Sequence, residues 1–113
     1  MSPEPIAQKK WRALLRLLRW ECPCPIPVKV RRMRISSELY GDTEYRPVPE
    51  PHYIVRISAE LDWEMTKSTL IHEWAHCFAH SPHLWTAERT KVNDHGPQYG
   101  IAYAACYTAS LEL

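Results

Sequence analysis

Two histidines and a glutamate with the spacing of a zinc hydrolase site lie at His72, Glu73 and His76. In a helix these two histidines are one turn apart, so both imidazoles project from the same face. Two nitrogens placed in this way can reach one zinc ion. Glu73 follows the first histidine, and from there its carboxylate can reach a water molecule in an open coordination position. The H-E-x-x-H spacing therefore predicts a zinc site in which Glu73 is the general base.

The residues around this motif are uncharged and mostly apolar, and they include Ile71, Trp74, Ala75 and Phe78. Such flanks are typical of a helix buried beneath a metal. They fit poorly with the alternative, in which both histidines are exposed on a surface helix.

A catalytic zinc site needs a third protein ligand and a vacant position for water. The side chains that could supply the ligand are His80, His83, Glu88 and His95. His80 lies about 12 Å along the helix axis from His72, a span that one ion cannot easily bridge. His83 is one residue beyond the third histidine of the longer H-E-x-x-H-x-x-G-x-x-H pattern, and Glu88 has no recognisable helical context. We predict His95, because a long loop delivers the chain there into a new helix and the side chain can turn back on the metal.

The hydrophobic pattern predicts an α+β domain that spans residues 1–113. The expected elements are a helix over Ile6–Trp20, strands over Val28–Ile35 and His52–Ser58, a turn at Tyr40–Asp42 with a short strand at Thr43–Arg46, a helix from its Asp62 cap to about His80, and a last helix opening at Pro97. Helical spacing predicts an apolar stripe on the first helix, formed by Ala7, Trp11, Leu14, Leu15 and Leu18, and an inward stripe on the last helix, formed by Tyr99, Ala102, Tyr103, Cys106 and Ser110. In the sequence, a small sheet of two or three strands thus follows the first helix and precedes the helix that carries the motif.

The motif and its surroundings resemble a known family. His72-Glu73-Trp74-Ala75-His76, followed after a loop by His95-Gly96-Pro97-Gln98-Tyr99-Gly100, is similar to the SprT-like zinc metallopeptidases, and most to the compact phage and bacterial members. Leu39–Asp42 and Tyr53–Ile57 are also similar, so the resemblance covers about residues 28–107. It implies a minimal zincin fold, one zinc ion on His72, His76 and His95, Glu73 as the catalytic base, and a protein or peptide substrate. The C-terminal four-cysteine zinc ribbon of longer members is missing.

The resemblance also bears on the residues around the site. Tyr99 stands where family members often carry Trp or Phe, which favours packing beneath the site, and Tyr99 and Tyr103 are candidates to contact the metal ligands or the substrate. In zincins generally, the strand that borders the cleft pairs with extended substrate. We expect Val28–Ile35 or His52–Ser58 to fill this role.

The charge is unevenly distributed along the chain. The whole chain has a net charge of +1, but residues 1–34 hold nine Lys or Arg against two Glu, a net charge of +7. On the first helix, Lys9, Arg12, Arg16 and Arg19 cluster on one face and could contact DNA. The same residues could equally form the solvated face of an amphipathic helix. Some relatives in the family act on proteins crosslinked to DNA, which agrees with the first interpretation.

The cysteines and the lack of long apolar runs predict a protein of the reducing cytoplasm. Cys22 and Cys24 are too close together for the usual C-x2-C zinc knuckle, while Cys77 and Cys106 fall on the apolar sides of predicted helices. We therefore expect four free thiols. No apolar run approaches the roughly 20 residues that span a bilayer, and no signal peptide is recognisable.

Three functions fit the sequence. The first is a zinc-dependent peptidase. The second is a non-catalytic, zinc-containing adaptor for nucleic acid or protein, against which the presence of Glu73 argues. The third and weakest is a zinc hydrolase with a small substrate. The sequence does not determine the oligomeric state.

Overall fold

The computed structural model describes residues 8–36, 39–79 and 97–111. Within these residues, three helices and a three-stranded sheet follow one another as α1 (Gln8–Glu21), β1 (Val28–Met33), β2 (Gly41–Arg46), β3 (His52–Ser58), α2 (Trp63–Ala79) and α3 (Pro97–Ser110). This is the predicted α+β layout, with an N-terminal helix, a small sheet, the helix that carries the motif and a C-terminal helix.

The sheet has the strand order β1-β3-β2, so β3, which follows the other two in the sequence, lies between them. β1 pairs parallel to β3 with Val30 opposite Val55, and β2 pairs antiparallel to β3 with Thr43 also opposite Val55. On β3 the alternating side chains of Tyr53, Val55 and Ile57 are fully buried. Because successive side chains of a strand point to opposite faces, these three residues lie on the face of the sheet that packs against the helices.

α2 begins at a capped N-terminus and runs through the middle of the molecule. The backbone amide of Met65 donates a hydrogen bond to Asp62 Oδ1 at 2.9 Å, which confirms Asp62 as the N-cap. α2 packs against β2, β3 and α3. Because several of its faces are covered, α2 is not the surface helix of the alternative interpretation.

The buried residues form one core shared by all the helices and the sheet. α1 contributes Leu14 and Leu18, which lie on its predicted apolar stripe and are fully buried. α3 contributes Ala102 and Cys106, also as predicted. The apolar stripes of the three helices therefore face one another and the sheet, as the helical spacing requires.

Some predicted boundaries need correction. β1 ends at Met33 and not at Ile35, while β2 already begins at Gly41, so Gly41 and Asp42 belong to a strand and not to a turn. Pairing with Ile57 and Arg56 extends β2 in this direction. The predicted helix start at Ile6 and the helix end at His80 lie outside the described residues.

All four cysteines are free, as predicted. Cys77 and Cys106 are buried in the core, and Cys22 is buried as well, which the sequence did not indicate. The backbone carbonyl of Cys22 accepts a hydrogen bond from Trp74 Nε1 at 2.9 Å, which ties the end of α1 to α2. Among the residues that the structure describes, no helix combines the length and the apolar character needed to cross a membrane.

Candidate active site

The two histidines of the motif lie side by side on α2. Their ring centroids are 5.2 Å apart and the ring planes meet at 78°. Both side chains are half-buried, since α3 covers this face of α2. The one-turn spacing thus brings two imidazoles together at a sheltered place, as expected for a pair of ligands to one ion.

Tyr99 on α3 holds His72 through its hydroxyl group. The Tyr99 oxygen lies 3.1 Å from His72 Nδ1 and also 3.1 Å from the backbone oxygen of His72. The hydroxyl group of a tyrosine has one hydrogen to donate. When it donates that hydrogen to the carbonyl, it is left to accept one from Nδ1–H. In this tautomer Nε2 is the unprotonated nitrogen of His72 and the one able to bind a metal, an arrangement common among metal-binding histidines.

The same tyrosine packs against the second histidine. The Tyr99 ring lies 4.5 Å from the ring of His76, centroid to centroid. Packing beneath the site was predicted for Tyr99, and the hydrogen bond to His72 adds to it. Burial raises the pKa of the Tyr99 phenol well above its usual value, and the Glu73 carboxylate raises it further. Tyr99 therefore remains a neutral hydrogen-bonding group at physiological pH.

Tyr103 extends this aromatic wall along α3. Its ring stacks on Tyr99 with centroids 6.0 Å apart, and Tyr107 stacks on Tyr103 in turn at 6.3 Å. Tyr103 also lines a cavity that opens beside the motif. It is thus placed near the site, but its stacking partner Tyr99 is the residue that contacts the histidines.

Glu73 is held by a residue of the sheet. The Thr43 hydroxyl on β2 donates a hydrogen bond to Glu73 Oε1 at 2.6 Å. Both residues are buried, with Thr43 3% exposed and Glu73 8% exposed. The carboxylate of the predicted base is therefore fixed between the helix and the sheet.

A cavity of about 380 Å³ lies in front of this carboxylate, with walls from α2, α3 and the start of β2. Its lining includes His72, Glu73, Tyr103, Met65, Leu39 and Tyr40. The predicted base and one of the predicted ligands therefore share a single concave space, which has apolar side chains around it. Such a combination is typical of a site that binds and acts on a ligand.

The third predicted ligand, His95, lies outside the described residues, as do the other three candidates for this role. In residues 8–36, 39–79 and 97–111, no group of three or more His, Cys, Asp or Glu side chains is arranged to hold a metal ion. The structure therefore places two of the three predicted ligands, and His95 stays a prediction.

The edge of the sheet nearest the site belongs to β2. β3 is paired on both sides, so the prediction that His52–Ser58 could pair with substrate is wrong. In the described part of the chain β1 is an edge strand, but the residues that line the cavity come from the start of β2 and not from β1. Strand order depends on pairing between residues far apart in the sequence, so no local pattern indicates which strand forms this edge. The contact of Thr43 with Glu73 depends on the same long-range packing, and no local pattern indicates it either.

A second surface carries the basic residues of α1. Lys9, Arg12, Arg16 and Arg19 are all exposed and recur at helical spacing along one stripe, as predicted. None of them forms an ion pair with a carboxylate in the described part of the chain.

An exposed tryptophan lies beside this basic stripe. Trp20 is 80% exposed, and with Arg12, Arg16 and Arg19 it lines a groove of about 440 Å³. The guanidinium of Arg19 also lies 6.0 Å from the centroid of the Trp74 ring and donates a hydrogen bond to Val28 O at 3.4 Å. Arg19 is therefore partly held in place, and Trp20 presents its indole to solvent.

Comparison of the chain with protein-family models, with curated proteins and with solved structures finds no match in any of the three.

Proposed function

We propose that this chain is a SprT-like zinc metallopeptidase that hydrolyses peptide bonds, with Glu73 as the general base. The observation that carries the proposal is the arrangement around the cavity. A buried carboxylate that is fixed by Thr43 lies next to His72 on the cavity wall, and His76 lies one turn further along α2. A carboxylate on the wall of a cavity, with two adjacent imidazoles of which one lies on the same wall, supplies components of a metal-dependent hydrolase.

The residues present fit zinc. His72 and His76 would hold the ion, with His95 as the proposed third ligand, and the hydrogen bond between Tyr99 and His72 Nδ1 is of the kind that orients such ligands. Imidazole nitrogens are ligands that zinc prefers. When bound, zinc lowers the pKa of its water and polarises the carbonyl of the scissile peptide bond.

The residues of this chain would then carry the proton transfers and the binding of substrate. Glu73 would take the proton of the attacking water and pass it to the amine that leaves. The outer edge of β2 could hold an extended peptide, since within the described residues only β3 pairs with β2. The apolar side chains of Met65, Leu39 and Tyr40 line the cavity beside this edge and would accommodate a side chain of the substrate.

Two other functions share the same zinc site. A non-catalytic adaptor would need the histidines but would have no use for a buried carboxylate fixed in front of a cavity. A hydrolase with a small substrate would need the cavity but would have no use for an adjacent strand edge. Glu73 and β2 together therefore favour the peptidase. A reducing compartment such as the cytoplasm suits its four free cysteines.

The experiment compares purified wild-type protein with four variants. We expect about one zinc per chain, lost in His72→Ala and His95→Ala and retained in His52→Ala, which removes a histidine outside the site. Glu73→Gln should keep the zinc and lose cleavage of an unfolded protein substrate such as casein. A Glu73→Gln protein with undiminished cleavage would overturn the mechanism. A zinc-loaded wild type without hydrolytic activity would favour the adaptor.

The basic stripe of α1 supports a second, compatible function, which is contact with single-stranded DNA. Proteins that bind single strands without sequence preference combine a basic groove with aromatic side chains on which bases stack. Here the groove beside Trp20 supplies both components, and no described carboxylate neutralises its arginines.

This second function is tested with a fluorescent oligonucleotide at several salt concentrations. We expect affinity to fall steeply with salt, and to fall further in Arg12→Glu, Arg16→Glu and Trp20→Ala. Arg46→Glu is the matched control, because Arg46 is an exposed arginine on β2 that pairs with Glu44. Binding that does not respond to salt, or that Arg46→Glu weakens as much as Arg16→Glu, would refute a role for this groove.

A further inference from the structure

The hydrogen bond between Thr43 and Glu73 joins two parts of the chain that are 30 residues apart. It links the motif helix to the edge strand of the sheet, so its geometry depends on how α2 packs on β2. At 2.6 Å it has the length typical of a hydroxyl that donates to a carboxylate.

The donor in this bond is rigid. Thr43 lies in the middle of β2, opposite Val55 of the central strand. Its side chain is β-branched, which restricts its χ1 torsion, and only 3% of the residue is exposed. The hydroxyl is therefore fixed by the pairing of the sheet and by burial, and not by a loop.

The acceptor is a side chain that would otherwise be mobile. Glutamate loses considerable rotamer freedom when it is held in one conformation. Glu73 faces the cavity from α2, and the bond to Oε1 selects one orientation of its carboxylate. A general base works efficiently only when it is held within reach of the proton that it abstracts.

From these contacts we infer that Thr43 is a positioning residue, which holds the carboxylate of Glu73 in the orientation needed for proton transfer. The inference rests on the proposed peptidase function, because it assigns the bond a role in that reaction. Thr43 acts through Glu73 and does not itself contact the reacting atoms. The hydroxyl should therefore affect the rate of the chemical step more than the binding of substrate.

The test uses Thr43→Val, which keeps the shape of the side chain and removes the hydroxyl, and Thr43→Ser, which keeps the hydroxyl. Thr66→Val is the matched control. Thr66 is another fully buried threonine of the core, and its hydroxyl donates to Leu61 O at 3.3 Å, away from the site. If Thr43→Val does not fold, Thr43→Ala removes the same hydroxyl without the added methyl group.

We expect Thr43→Val to lower kcat roughly ten- to hundredfold, the range for loss of a hydrogen bond to a charged group. KM and zinc content should stay as in the wild type, Thr43→Ser should restore most of the rate, and Thr66→Val should stay within about twofold of wild type. A Thr43→Val enzyme with the wild-type kcat would overturn the inference. So would an equal loss of kcat in Thr66→Val.

Crystal structures of the wild type, Thr43→Val and Thr66→Val give a readout that does not depend on activity. We expect the Glu73 carboxylate to leave its wild-type position in Thr43→Val and to keep it in Thr66→Val. An unmoved carboxylate in Thr43→Val would refute the positioning role even if the enzyme were active. If wild-type protein cleaves nothing while the carboxylate moves as expected, the peptidase proposal fails and the positioning of Glu73 stands.

Discussion

Replacing Tyr99 with phenylalanine removes one hydroxyl group from the candidate zinc site. The aromatic ring, with its contacts to His76 and Tyr103, is kept. Two contacts of 3.1 Å are lost, one to the Nδ1 atom of His72 and one to its backbone oxygen. We expect zinc to bind more weakly as a result.

The loss of zinc affinity depends on which of the two contacts affects metal binding. The bond to the backbone carbonyl is made with and without zinc, so it largely cancels in the affinity. The contact with Nδ1 selects the tautomer and the ring orientation that present Nε2. A hydrogen bond of this kind contributes about 1 kcal/mol net, and loss of such a partner typically weakens metal binding 10- to 100-fold. A contact of 3.1 Å is near the long end of the usual range, so we expect about tenfold.

The assay is a competition titration of the apo protein with a chromophoric zinc chelator at neutral pH. Tyr107→Phe is the matched control, because Tyr107 is half-exposed at the far end of the same row of stacked rings. Its zinc affinity should equal that of the wild type. If Tyr99→Phe also binds zinc with the wild-type affinity, the hydroxyl does not orient His72. If Tyr107→Phe shows the same loss, the effect comes from α3 as a whole.

Three further predictions concern stability and thiol chemistry. Gly41→Ala should destabilise the fold by about 1–3 kcal/mol in urea unfolding, because its Cβ would lie 2.8 Å from Arg56 O. Gly100→Ala, whose Cβ meets no described atom within 4 Å, should be neutral or stabilising by up to about 1 kcal/mol, and an equal loss in both variants would refute the steric argument. Asp62→Ala should cost about 1 kcal/mol by removing the cap of α2, whereas an unchanged unfolding midpoint would show that the cap contributes nothing. Cys24, which is half-buried, should react with a disulfide reagent before the other three thiols, because burial raises the pKa values of those three. Equal reaction rates for all four thiols in the folded protein would contradict this.

Much of the local structure could be predicted because it depends on neighbours along the chain. The helical spacing of Leu14 and Leu18 predicted the buried stripe of α1, and Asp62 predicted the start of α2. The bounds of β3 also agree with its alternating pattern. Each of these signals needs only a few consecutive residues, and each has a direct physical cause in backbone geometry and burial.

The strand order could not be predicted in the same way. The sequence of His52–Ser58 is compatible with an edge strand and with a central strand. Its hydrophobic alternation indicates which side chains are buried, but not which strands lie beside it. Gly41 and Asp42 favour turns, so the sequence by itself predicts a turn at the start of β2. Pairing with Ile57 and Arg56 of β3 overrides that preference.

For the candidate site, the sequence alone determined that His72 and His76 share one face of a helix with Glu73 beside them, because the period of the α-helix fixes their separation. The resemblance made Tyr99 a candidate to contact the metal ligands, but the sequence revealed neither the bond from its hydroxyl group to His72 nor the contact between Thr43 and Glu73. Thr43 reaches Glu73 from 30 residues away and Tyr99 reaches His72 from 27 residues away. Such contacts depend on how α2 packs against the sheet and against α3. Only the tertiary structure decides them, because packing joins side chains with no regular separation in the sequence.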